Sequence, residues 1–316
     1  MAFNHMKIFN HAILWSVLTL PVAAQNAAPA DRTTVNSAEV KPATDAKSPV
    51  KFPASGALPA KYTQDLPTQT WPSEPDYSLF SSPGRSLAQI SQIQKEMPAG
   101  KFTPPPNDWK YLPRTKKTLT EGGSFHLMAV GDSIINDTMR SGWIGKLQEA
   151  YPKAKITCTV YVRGGGNCGH YKEEGRVEKV IVAAKPDLVY IGGISQRNIK
   201  SIREVIVRIR AALPDVEFLL TPGAFGTTDP RDEAALAAAP HSGTGFYGEA
   251  LEMLANEQHC AYFDLTSPWR EYIVSSQLHP HLFYRDIVHA NEHGEQILSK
   301  ILMAFWMPNE VTTDGH

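Results

Sequence analysis

The sequence has only three cysteines, Cys158, Cys168 and Cys260. So few cannot build a disulfide framework, and an odd number leaves at least one thiol without a partner in its own chain. Cys158 and Cys168 could bridge, which is a question of geometry that sequence does not answer. Net charge is also lacking: 31 Lys and Arg against 32 Asp and Glu leave a formal charge of -1. That balance gives no reason to expect nucleic acid or an anionic membrane surface as partner. After the first 24 residues there is no long apolar run, so no membrane contact is expected once a leader is removed. Internal repeats are missing. So are the phosphate-binding strings, because no Gly-Lys-Ser/Thr and no dinucleotide glycine spacing occurs.

What is present begins with a leader. Lys7 gives a weakly positive start, Ala12 to Leu20 is an apolar core, and Val22-Ala23-Ala24 precedes Gln25. This pattern reads as a secretory signal peptide over residues 1–24, and it predicts a secreted or periplasmic protein. The bland alternative is a buried N-terminal helix. Gln25 is not a cysteine, so a lipid anchor is not indicated. Residues 25–70 are rich in Ala, Pro, Thr, Ser and Lys without apolar periodicity, which reads as a linker or disordered segment. Residues 71–122 are intermediate. Ser86 to Met97 predicts a short helix, Pro104-Pro105-Pro106 an extended stretch, and Trp109, Tyr111 and Leu112 look like anchors on a neighbouring domain.

The main domain is expected over residues 123–309. With 42% hydrophobic residues the chain can fill one sizeable core. Apolar, β-branched runs at His126–Val130, Ile156–Val162, Leu188–Ile191, Val216–Leu220 and Ala261–Leu265 read as strands. Helical patterns alternate with them at Ser141–Ala150, Arg176–Ala184, Ile199–Leu213, Tyr247–Gln258 and Glu292–Phe305. Short buried strands separated by helices imply an α/β fold: a three-layer α/β/α sandwich around a five-stranded parallel sheet in flavodoxin-like order. In such sheets chemistry gathers at the carboxyl ends of the strands.

Those ends carry the informative residues. The first strand stops at Gly131-Asp132-Ser133. Ser133 there can act as a nucleophile beside free backbone N–H groups, or simply cap a helix. The second ends in Arg163-Gly164-Gly165-Gly166-Asn167-Cys168-Gly169, a loop whose backbone can approach an oxyanion or merely turn. The third ends in Gly192-Gly193-Ile194-Ser195-Gln196-Arg197-Asn198, where Ser195, Gln196 or Asn198 can donate to an oxyanion or cap the next helix. The fourth leads into a polar loop in which His241 reads as a surface residue. Late in the chain stands Asp286-Ile287-Val288-His289, a spacing that lets a carboxylate orient an imidazole. His289-Ala290-Asn291-Glu292-His293 is also a formal H-x-x-E-H zinc string, but Asn291 suggests that a helix is only starting there, and little chain remains to supply a third ligand.

Taken together, these blocks resemble the SGNH hydrolases, the GDSL esterase/lipase superfamily, over roughly Phe125 to Trp306. The resemblance implies a Ser133, His289 and Asp286 triad and an oxyanion hole from the backbone N–H groups of Ser133 and Gly166. Ser195 stands where the family places an asparagine donor. It implies no metal or organic cofactor. The expected substrate is a small acyl ester or an acylated polysaccharide, with acetyl removed from a carbohydrate. Trp143, Trp269, Tyr284, His279 and His281 are candidates to line a sugar site, against ordinary packing. An acyltransferase on the same scaffold and a non-catalytic carbohydrate binder are the rival readings.

Overall fold

The computed structural model describes residues 69–70, 85–106, 109–224, 229–234, 247–286 and 288–307. Residues 1–68 and 71–84, His241 and the end of the chain lie outside the described residues, and with them the expected leader at 1–24 and nearly all of the expected linker at 25–70. The chain divides into two units, Met1–Ser55 and Gly56–His316, and everything described belongs to the second.

A parallel sheet runs through it in the order β1-β3-β2-β4-β5-β6. Its strands are β1 (Gln69–Thr70), β2 (Gly123–Gly131), β3 (Ala154–Val162), β4 (Leu188–Gly192), β5 (Glu217–Leu220) and β6 (Ala261–Tyr262). The last five are the strands read from sequence, and their order is the flavodoxin-like one. The two-residue β1 adds to that sheet by pairing with β3 at Cys158 and Thr159. β6 is shorter than its apolar run. The Asp264 carboxylate accepts the Thr266 N–H at 2.9 Å and turns the chain into a helix.

Both faces of the sheet are covered, which is why its strands read as continuous apolar runs. The helices are α1 (Leu87–Glu96), α2 (Pro113–Glu121), α3 (Ser133–Arg140), α4 (Trp143–Ala150), α5 (Cys168–Tyr171), α6 (Ile199–Ala212), α7 (Glu249–Glu257), α8 (Thr266–Ser276) and α9 (Glu292–Trp306), with a π-helix at Val177–Val182. One core holds Leu127 and Ala129 of β2 with α3, α4, α8 and α9. The other holds Met128 and Val130 with α5, the π-helix, α6 and α7.

The two cores settle several expectations. Cys158 lies in the first core and Cys168 in the second, on opposite faces of the sheet, so they do not bridge. All three cysteines are free and buried, and burial pushes their thiols up, Cys260 to about 11. Trp143, Trp269 and Tyr284 are core residues and not a sugar platform. Trp143 stacks on Trp306 with 6.2 Å between ring centroids. His279 and His281 are exposed and stack on each other at 4.7 Å.

The segment before β2 packs into the first core through Trp109, Leu112 and Leu119. Carboxylates of the main domain help to hold it. The first-turn N–H groups of Arg114 and Thr115 donate to the Glu217 carboxylate of β5 at 2.7 and 2.8 Å. That carboxylate caps α2, whose own Leu112 supplies no side-chain cap. Arg85, ahead of α1, pairs with Glu295 of α9 at 2.8 Å.

Candidate active site

The strand register sets the floor of the site. Gly131 of β2 lies opposite Val162 of β3 and Gly192 of β4, so three strands end at one level. The chain then enters α3 directly, and Ser133 is its first helical residue. The cap is Asp132, whose side chain accepts the Ile134 N–H at 2.9 Å. Ser133 is thus relieved of capping, and its hydroxyl is available elsewhere. No helix was expected here. Ile134, Ile135 and Met139 recur at helical spacing, but the run is only 8 residues long and its polar Asn136, Asp137 and Thr138 are buried as well.

The Ser133 hydroxyl meets His289 Nε2 at 2.7 Å. His289 Nδ1 meets Asp286 Oδ2 at 2.7 Å. The other carboxylate oxygen accepts the backbone N–H groups of Val288 and His289 at 2.9 and 2.8 Å. Burial works against the charge of Asp286, but these bonds win and hold its carboxyl below the usual range. The carboxylate therefore orients the ring, and Nε2 is left to accept the serine proton.

Ser195 is placed differently from expectation. Its backbone N–H donates to Asp132 Oδ2 at 2.7 Å, which holds the residue against the cap of α3. Burial pushes the Asp132 carboxyl up, and the bonds from Ser195 and the first turn of α3 oppose that rise. The contact depends on Gly193. Its φ is +107°, and a Cβ there would fall 2.2 Å from Asp132 Oδ1.

Gly166 is also otherwise engaged. Its N–H closes a turn onto the Arg163 carbonyl at 2.8 Å. Gln196, one of the three donors that the sequence left open after the third strand, is placed differently. It is 1% exposed, and its Oε1 accepts the Cys168 N–H at 2.8 Å, tying the loop after β4 to the glycine-rich loop after β3. With the oxygen so fixed, the amide orientation follows, and among the described residues Nε2 has no hydrogen-bond partner. A buried donor without an acceptor is the type of group an oxyanion would satisfy. Ser133 contributes its own N–H, one of the first-turn donors a helix leaves unpaired.

No protein-family model matches the sequence, and no curated protein matches it. Solved structures do. A two-domain esterase active on acetylated mannans, co-crystallized with mannopentaose, is 12% identical with a TM-score of 0.51, and the match covers 68% of this chain and 56% of that one. A second structure of such an esterase gives a TM-score of 0.49 at 12% identity, covering 68% and 55%. A lipase/acylhydrolase from Enterococcus faecalis is 14% identical with a TM-score of 0.40, covering 56% of this chain and 93% of that one. This chain shares its α/β/α fold with that acetylmannan esterase. It spans little more than half the length of the acetylmannan esterase.

In this fold the H-x-x-E-H string loses its zinc geometry. Asn291 caps α9 by accepting the N–H groups of His293 and Gly294. His289 therefore lies before the helix, on the loop that faces Ser133, while His293 is 2% exposed on the first turn. Two histidines must share one helical face to chelate in that motif.

Proposed function

We propose that this chain is an exported SGNH hydrolase that removes acetyl groups from a polysaccharide through an acyl-enzyme. One observation carries the reading: the unbroken chain of two 2.7 Å contacts from Ser133 through His289 to Asp286. The leader at residues 1–24 supports export, and the fold shared with an esterase active on acetylated mannans supports the substrate class.

The chemistry follows from the geometry. Ser133 Oγ attacks the acyl carbonyl carbon as its proton passes to His289 Nε2. Asp286 stabilises the imidazolium that results. The carbonyl oxygen, now negative, is held by the Ser133 N–H and by Gln196 Nε2, the latter being one of the three donors the sequence left open after the third strand. The bond to the leaving alcohol breaks, and that alcohol takes the proton from His289. A water molecule then gives a proton to His289, attacks the acyl carbon and releases acetate, and Oγ recovers the proton.

Ser133→Ala should abolish turnover of an aryl acetate and release of acetate from acetylated mannan, with unfolding behaviour unchanged. Turnover within tenfold of wild type would sink the assignment. Acetyl recovered on an added sugar acceptor, with no free acetate, would identify transfer in place of hydrolysis.

A further inference from the structure

Asp137 lies one helical turn after Ser133 on α3, so the two side chains leave the same face of that helix. It is fully buried. Its Oδ1 accepts from the Arg285 guanidinium at 2.8 Å, and its Oδ2 accepts the backbone N–H of Ala290 at 3.1 Å. Arg285 and Ala290 flank the stretch from Asp286 to His289 on either side. The two flanks are joined to each other as well. Tyr284 and Ala290 form an antiparallel bridge, the Arg285 N–H donates to the His289 carbonyl at 3.0 Å, and the Arg285 guanidinium donates to the Ala290 carbonyl. One carboxylate therefore grips both sides of a small hairpin that carries Asp286 and His289 at its tip.

We propose that Asp137 is a positioning residue: it fastens the histidine loop to the nucleophile's own helix, so that the contact between His289 Nε2 and Ser133 Oγ is set by α3. The proposal rests on the reading of Ser133 and His289 as nucleophile and base. The tip needs such an anchor, because the Asp286 side chain is 47% exposed and nothing covers it from outside among the described residues. The charged groups facing Asp137 are Arg285 and His289 from the loop and Glu295 from α9. Glu295 is in turn paired with Arg85 and Arg140. Asp137 touches neither the attacking oxygen nor the proton in flight, so it acts only through His289. Reacting groups must be held to within about 0.5 Å, and a misplacement of about 1 Å costs about 10²-fold in rate.

Asp137→Asn keeps the volume but offers an N–H₂ where one of two donors needs an acceptor, so one grip is lost. Arg285→Lys keeps the charge but loses the guanidinium fork that reaches Asp137 and Ala290 together, and its partly exposed site tolerates the change. Both variants, once shown folded by urea unfolding, should lose kcat on an aryl acetate, about 10²-fold and about tenfold respectively. KM should change less than about twofold. The rate at which an aryl phosphonate labels Ser133 should fall in parallel. In a His289→Ala background, Asp137→Asn should slow that labelling no further, because the residue it positions is gone. If both variants keep kcat within twofold, or if Asp137→Asn costs the same factor with and without His289, the positioning role is overturned. A Ser133→Ala control separates the two failures. Activity surviving in that control overturns the triad and the positioning role together. A dead control beside an intact Asp137→Asn overturns the positioning role alone.

Discussion

Asp137 places stability and function in measurable opposition. Burial raises its carboxyl from 3.8 to about 6 and outweighs the Arg285 charge that pulls it down, while the Glu295 charge adds to the rise. The folded chain therefore retains a proton here, over roughly pH 4 to 6, that the unfolded chain has already released. Since the unfolded state binds fewer protons, stability contributed by the protonated group is fully present below about pH 4 and is lost as pH rises through about 6. At about 1.4 kcal/mol per pKa unit, ionised Asp137 leaves the fold about 3 kcal/mol less stable at pH 7 than the protonated form would. Asp137→Asn cannot ionise. The unfolding free energy of wild type minus that of the variant should thus fall by about 3 kcal/mol between about pH 4 and pH 7, then level off. Urea unfolding at half-unit pH steps measures both curves, and subtraction cancels the carboxylates common to both proteins. A flat difference refutes the reasoning. A difference that grows with pH refutes it more sharply, because the Arg285 pairing would then outweigh burial.

Two further outcomes follow from other buried polar groups. Gln196→Ala removes the proposed amide donor and should lower kcat on an aryl acetate about 10²-fold with little change in KM; a loss under threefold means that the oxyanion is held elsewhere. Glu217→Ala uncaps α2 and should lower unfolding free energy by about 1–3 kcal/mol while leaving kcat within twofold, since that carboxylate braces the extension and not the site. A large kcat loss there, with stability intact, contradicts the structural assignment.

The apolar framework was legible in the sequence because it repeats locally. The five strand runs from His126 to Leu265 each announce a strand buried on both faces, and their alternation with helices leaves few topologies. The Asp286 and His289 pair was legible for the same reason, as a spacing of three on one loop. The helix carrying Ser133 was not. Ile134, Ile135 and Met139 recur there at helical spacing, but the run is short and its buried Asn136 and Asp137 read as polar surface. Gly142, with φ +79° and Ile90 packed where a Cβ would go, starts the next helix at Trp143 and not at Ser141.

The polar framework was illegible because each of its bonds spans the chain. Asp132 meets Ser195 across 63 residues, Cys168 meets Gln196 across 28, and Asp137 meets Ala290 across 153. Residue type gives no warning, since Asp and Gln are ordinary surface residues until buried, and burial is decided by the strand ends to which they are attached. Once buried, each must find a partner or lose several hydrogen bonds to water. The register that brings Gly131, Val162 and Gly192 level also brings the loops after them within reach of one another. The carboxylates then fix which loop donates to which. That sequence of causes explains why the Asp286 and His289 pair could be read from a local spacing, while the choice among Ser195, Gln196 and Asn198 could not. Ser195 and Gly166 have suitable donors, but Asp132 and the Arg163 carbonyl already accept them. Gln196, whose oxygen is taken and whose nitrogen has no partner among the described residues, is the donor that the proposed mechanism assigns to the developing negative charge.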